Sequence, residues 1–283
     1  MAAAKTAVIT GSTGGIGGAV TDVLASQGWK LVLVNRSASK GADQQDALKK
    51  AYPDVDVTPI SADLSDIQQI RSAASEIISA TPKIDALLNI SGVLTSSEVK
   101  SAQGFEIHYA INVIANYLMT TLLRPALTGS SPDEKSMVVT MSSSAIKGVR
   151  SLDLDKLNNP PSLGLFGAYA TSKMALTIMC AALADDLLKD NILIRAVDPG
   201  ATATPMTTGS GDGMPGFLRF LAPLLFSKPD KQAKKIAFAA DPASYDGRTG
   251  VLVMEGKERP MPKIAQDPEL QKALLAKLSS DVG

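Results

Sequence analysis

The chain has 283 residues, enough for one large domain or two ordinary ones with a substantial core. It is 45% hydrophobic and 20% charged, and 28 Lys and Arg balance 28 Asp and Glu, which excludes a global basic field for nucleic acid. The lone Cys180 excludes an internal disulfide and fits a reducing compartment, and the lone His108 excludes a histidine-based metal cluster.

Before the first apolar run, Met1-Ala-Ala-Ala-Lys5 is too short for a targeting segment and lacks an apolar h-region. The longest apolar stretch, Gly216–Phe226, falls far short of the ~20 residues that span a bilayer. The chain therefore reads as cytoplasmic, with no transmembrane segment.

Lys5–Thr10 is a short β-rich run, followed by Gly11-Ser-Thr-Gly-Gly-Ile-Gly17 and a helical pattern from Ala19 to Gln27 with Val20, Val23 and Leu24 on one side. Strand, glycine turn and helix is the context of a dinucleotide site. Glycines permit the tight turn and let backbone N–H groups approach a pyrophosphate at the helix N-terminus. Gly11, Ser12, Thr13, Gly15, Ile16 and Gly17 are the candidate contacts, and a glycine-rich turn without a ligand is the plainer reading.

The next run, Leu31–Asn35, ends where an acidic residue would hold an adenosine ribose 2′-hydroxyl. Neutral Asn35 occupies that place, and Arg36 follows. A guanidinium pairs with a 2′-phosphate that a carboxylate would repel, so NADP(H) is favoured over NAD(H). An ordinary solvated charge is the alternative for Arg36. Ser37, Ser39 and Lys40 are near enough in sequence to assist.

Further apolar runs lie at Val55–Ile60, Ile84–Ile90, Met137–Met141, Ile192–Val197 and Val251–Met254. Between most of them stand helical patterns at Ile67–Ser79, Ile107–Leu127 and Ala168–Lys189, and a last one spans Pro268–Leu278. Continuous apolar strands alternating with helices predict an α/β fold. The expectation is a single-domain, doubly wound Rossmann-type parallel sheet of about seven strands, with ligands at the carboxyl ends. Residues 147–167 read as an irregular insertion and 202–229 as a substrate lid.

Tyr169 and Lys173 lie four apart on a predicted helix, hence on one face. A phenol titrates near ~10, and a neighbouring ammonium should lower that value and make the Tyr a usable acid/base. Cys180, in the same apolar helix, reads as a small core residue. Leu176, Met179 and Leu183 form a face for a second subunit, giving a homodimer or homotetramer, or else are buried within the chain.

Taken in order, these landmarks resemble the short-chain dehydrogenase/reductase family over nearly the whole chain. Thr10-Gly-Ser-Thr-Gly-Gly-Ile-Gly17 matches its Thr-Gly-x-x-x-Gly-x-Gly turn. Asp63-Leu64 falls where the family binds adenine, and Asn89-Ile-Ser-Gly92 keeps the first Asn and the Gly of its Asn-Asn-Ala-Gly. Asn112, Ser143, Tyr169 and Lys173 match its catalytic set. Pro199, Gly200, Thr202 and Thr204 fall in its nicotinamide-holding Pro-Gly-x-x-x-Thr segment. The resemblance implies that Ser143 hydrogen-bonds the substrate oxygen and that Tyr169 protonates it. It further implies that Lys173 holds ribose hydroxyls and lowers the Tyr pKa, and that Asn112 positions a water. Strand alternation would put Ser142 and Ser144 on one face and Ser143 on the other; the family register selects Ser143.

The gap of about 26 residues from Ser143 to Tyr169 resembles the retinol-dehydrogenase-like branch, which implies lipophilic aldehydes and ketones as substrates. Met206, Met214, Phe217, Leu218, Phe220, Leu221, Leu224, Leu225 and Phe226 make the lid strongly apolar, which suits a greasy pocket. They read equally as packing for a lid helix, a membrane contact or a partner contact. The leading expectation is an NADPH-dependent carbonyl reductase acting on a small lipophilic carbonyl or alcohol. A catalytically retired NADP(H)-binding sensor or scaffold of the same fold is the alternative.

Overall fold

Short β-branched and aliphatic runs, ended by glycine, asparagine or aspartate turns, build the central sheet. The computed structural model describes residues 4–129, 134–160, 167–202 and 227–283. Strands β1 (Thr6–Thr10), β2 (Lys30–Asn35), β3 (Val57–Ser61), β4 (Ala86–Asn89), β5 (Ser136–Met141), β6 (Ile192–Asp198) and β7 (Val251–Met254) pair in parallel in the order β3-β2-β1-β4-β5-β6-β7. An eighth strand, β8 (Lys257–Arg259), lies antiparallel on β7. The sequence reading expected about seven. Lys-Glu-Arg carries no apolar run, and β8 exists only because the turn at Glu255 and Gly256, both with positive φ, folds it back onto β7.

Every residue of β1, β5 and β6 is buried, as both-face coverage requires. Successive residues feed opposite cores. Val8, Leu87, Val138 and Ile194 join one apolar cluster, and Ile9, Leu88, Val139 and Leu193 join the other. The second cluster is closed by α1 (Gly15–Ser26) and α7 (Pro229–Ala239). Sequence reading missed α7, because its Lys-rich start hides the buried stripe Ala233, Ile236 and Ala239. Helix α2 (Ala38–Ala51) lies against β3.

The first cluster is closed by α3 (Ile67–Ala80), α5 (Ala115–Leu127), α6 (Gly167–Leu188) and α8 (Pro268–Val282). Helix α6 is buried on nearly every side. Leu176, Met179 and Leu183, the face offered to a second subunit, are buried in one cluster with Leu274 and Leu278 of α8. The chain covers that face with its own C-terminal helix.

The predicted helix over 107–127 is interrupted. α4 (Ile107–Tyr109) passes through a π turn, Ala110–Ile114, before α5 begins. A π turn inserts one residue and rotates the helical face beyond it. Asn116 Nδ2 donates to the carbonyls of Ile111 (3.3 Å) and Asn112 (3.1 Å), occupying groups the irregular turn leaves free. The described part of the 147–167 insertion contains a short 3-10 turn at Leu154–Lys156. Arg195 on β6 is fully buried, its guanidinium donating to the carbonyls of Ala239, Asp241, Pro242, Ser244 and Arg248. Burial pushes its pKa down to about 10.

Candidate active site

Strands β1 and β4 are neighbours although β2 and β3 intervene in sequence, so the chain leaves the sheet centre in both directions. A crevice opens at such a point, outside the carboxyl ends of the strands. Here it is a cavity of about 840 Å³ lined by the turns that follow β1 through β6.

At one end stands the glycine turn. Gly11 (φ +69°) donates its N–H to the Val34 carbonyl (2.9 Å), tying the turn to β2. A Cβ on Gly17 would collide with the Gly11 carbonyl, and one on Gly11 would lie 2.9 Å from Ser91 Cα. Backbone must therefore approach backbone at both places. Gly14 caps α1 without a side-chain hydrogen bond, which leaves first-turn N–H groups available to an anion.

Gly11, Thr13, Gly15, Ile16 and Gly17 line the cavity, but Ser12 does not. Ser12 is buried behind the turn, where Asn35 Nδ2 donates to its Oγ (2.8 Å) and its hydroxyl donates to Gln44 Oε1 (2.7 Å). Asn35 Oδ1 accepts the Thr13 N–H (3.0 Å). Asn35 thus braces the glycine turn. Gln44, which also donates to the Ser12 carbonyl (2.8 Å), was missed, since nothing in its local sequence marks it. Arg36, Asp63 and Leu64 line the same end. Ser37, Ser39 and Lys40 do not line it; Ser37 caps α2 by accepting the Lys40 N–H (3.3 Å).

At the other end, Ser143, Tyr169 and Lys173 share the wall. β5 stops at Met141, so the alternation expected over 142–144 is not that of a strand. Ser142 bonds Thr177 Oγ1 of α6 (2.9 Å), Ser143 Oγ accepts the Ala145 N–H (3.3 Å), and Ser144 opens a 3-10 turn. Lys173 Nζ donates to the Met141 carbonyl (2.7 Å) and lies 5.6 Å from the Tyr169 ring centre.

The electrostatics correct the sequence reading. Burial raises the Tyr169 pKa; the Ser143 hydroxyl lowers it in part, and the Asp198 carboxylate adds to the rise. Burial lowers the Lys173 ammonium to about 8, with Asp198 opposing. Desolvation outweighs attraction at both groups. In the protein alone the amine, not the phenol, releases its proton first. Asp198, unremarked in the sequence, lines the cavity and accepts the Gly200 N–H (2.9 Å).

Asn112 is fully buried and does not line the cavity. Its Oδ1 accepts the Val93 N–H (2.9 Å), and its Nδ2 donates to the Val93 carbonyl (3.2 Å) and to Ser172 Oγ (3.0 Å). Both amide protons are committed to protein groups, so the side chain braces the wall from behind. Asn89 is likewise buried off the wall, donating to Thr120 Oγ1 (3.4 Å). Gly92 does line it, and a Cβ there would lie 3.2 Å from Asn112 Oδ1 and 3.4 Å from Lys173 Nζ. Pro199, Gly200 and Thr202 line the cavity. Thr204 and the apolar lid residues from Met206 to Phe226 lie outside the described residues. Among the described residues, no helix is long and apolar enough to cross a membrane.

Residues 5–214 match the family model described as short chain dehydrogenase. Polyprenol dehydrogenase of Mus musculus is 27% identical over 274 residues, 96% of this chain and 82% of that protein. Retinol dehydrogenase 14 of Homo sapiens is 24% identical, over 95% of this chain and 84% of that protein. A 3-ketoacyl-(acyl-carrier-protein) reductase from Brucella melitensis, solved with NADH, superimposes with a TM-score of 0.69 at 25% identity, over 89% of this chain and 98% of that one. L-Sorbose reductase from Gluconobacter frateurii, solved with NADPH and L-sorbose, gives a TM-score of 0.70 at 22% identity, over 92% of this chain and 97% of that one.

Proposed function

Because the chain belongs to the short-chain dehydrogenase family, whose members are nicotinamide-dependent oxidoreductases, we propose that it interconverts a lipophilic ketone or aldehyde and its alcohol with NADP(H). One juxtaposition carries this reading. Ser143, Tyr169 and Lys173 line the same cavity as the glycine turn and Arg36.

The residues present fit a dinucleotide. The cradle at Gly11 and Gly17 has no room for a Cβ, and the uncapped first turn of α1 offers N–H groups to a pyrophosphate. When bound, the nicotinamide supplies the hydride. Arg36 would pair with a 2′-phosphate, and no carboxylate stands at position 35, where Asn35 is turned away to brace the turn. Asp63 and Leu64 would flank the adenine, and Pro199, Gly200, Thr202 and Thr204 the nicotinamide.

On the substrate side, Ser143 donates a hydrogen bond to the carbonyl oxygen, where negative charge develops. Tyr169 delivers the proton to that oxygen. With burial holding the phenol high, Tyr169 is a protonated acid at neutral pH, the form that reduction requires. Alcohol oxidation needs the phenolate, so extra positive charge beside Tyr169 must precede that direction. Lys173, the nearest amine, would also hold ribose hydroxyls.

A lipophilic substrate is supported by the apolar wall of Val93, Leu94, Ile111 and Met141, and by the apolar sequence of 202–229. The names of the polyprenol and retinol relatives agree. Tyr169→Phe should cut turnover by about 10²–10⁴ while leaving NADPH binding intact. The assay is NADPH oxidation with ketones and aldehydes graded by chain length. A wild-type protein that binds NADPH but oxidises none across the panel is a nucleotide-binding sensor rather than an enzyme.

A further inference from the structure

The lone histidine is a buried link between the substrate wall and the catalytic tyrosine. The His108 side chain is 3% exposed. Its Nδ1 lies 2.7 Å from Glu106 Oε1, and its Nε2 accepts the backbone N–H of Thr95 (3.1 Å). These partners select one tautomer, with the proton on Nδ1 facing a carboxylate and the lone pair on Nε2 facing an amide. Glu106 is itself fixed, its Oε2 accepting the Tyr109 N–H (2.9 Å) and its own N–H donating to Asn158 Oδ1 (2.8 Å).

Asn112 lies four residues beyond His108 and grips the Val93 N–H (2.9 Å). Two side chains about one turn apart therefore hold alternate amides, 93 and 95, of the segment leaving β4. Val93, at one anchor, and Leu94, between the two, line the cavity. The His108 ring also meets the Tyr169 ring edge-on, with centres 6.3 Å apart and planes at 75°.

We infer that His108 is a positioning residue that clamps the 93–95 wall and seats the Tyr169 ring, so that it sets the fit of the carbonyl substrate rather than of the nucleotide. This inference rests on the carbonyl-reductase reading. The clamp itself is a physical property that can be measured without turnover.

Three variants separate the contacts. His108→Phe keeps a ring against Tyr169 but leaves the Thr95 amide without its acceptor. His108→Gln places an acceptor oxygen where Nε2 stands but lacks the ring. His108→Asn keeps a donor toward Glu106 and is too short to reach Thr95.

Hydrogen exchange of the Thr95 amide should quicken about tenfold in His108→Phe and His108→Asn and return near wild type in His108→Gln. For the carbonyl substrate, KM should rise about tenfold in His108→Phe and His108→Asn, with the NADPH Kd held within about twofold. If His108→Phe does not fold, the Asn and Gln variants carry the comparison. Unchanged Thr95 exchange in the Asn variant overturns the clamp. Equal losses in NADPH binding and KM overturn the assignment to the substrate side. If wild type reduces no carbonyl, the reductase reading fails, and the exchange pattern alone still upholds or overturns the clamp.

Discussion

Replacing Lys173 by Met should make the protein more stable while ending its chemistry. The ammonium is buried, and its pKa falls from 10.5 to about 8. At about 1.4 kcal/mol per pH unit, keeping it charged in the folded state costs about 3 kcal/mol at neutral pH. Methionine fills similar volume without a charge but removes the donor to the Met141 carbonyl, a loss of about 1 kcal/mol. The net gain is about 2 kcal/mol at neutral pH. The sign then changes with pH. Between the folded value of about 8 and the unfolded value of 10.5, the unfolded chain holds a proton that the folded one has shed. This group's contribution to wild-type stability therefore rises with pH in that window. One pH unit below the unfolded value, the remaining cost is about 1 kcal/mol, and the variant's advantage should nearly vanish. Urea unfolding of both proteins at neutral pH and near pH ~9.5 measures this. A variant that is less stable at neutral pH, or an advantage that does not shrink with pH, would refute a desolvated ammonium at this site. Loss of turnover in a stabilised protein would mark Lys173 as a group retained for function at a cost in stability.

Arg36→Asp should raise the NADPH Kd by at least about tenfold and NADH by far less, read by fluorescence titration of each nucleotide; equal losses would remove the 2′-phosphate assignment. Gly17→Ala drives a methyl into the Gly11 carbonyl, so nucleotide binding should be lost together with some stability, measured by titration and thermal unfolding. Arg195→Met relieves a desolvation cost of about 3 kcal/mol but strips the donors from five backbone carbonyls that hold the turn after α7, about 1 kcal/mol each, and should destabilise by about 2 kcal/mol in urea unfolding. A loss below about 1 kcal/mol would mean that those carbonyls find other partners.

What the amino-acid sequence determined by itself is whatever depends on neighbours along the chain. The glycine turn at 11–17, the apolar runs of the sheet, the four-residue step from Tyr169 to Lys173 and the Pro199-Gly200 turn are all local patterns. Sterics and periodicity act over a few residues, so these could be read directly. Tertiary structure decided which groups lose water and which atoms meet across distance. Asn35 turned inward to brace the glycine turn with Gln44, and Asn112 went behind the wall rather than onto it. The spacing led to the expectation that Lys173 lowers the Tyr169 pKa, yet burial sets the net shift upward. The π turn, the β8 fold-back and the covering of α6 by α8 likewise had no local signature. Desolvation is set by the whole packed surroundings of a group, and no spacing between two residues encodes it.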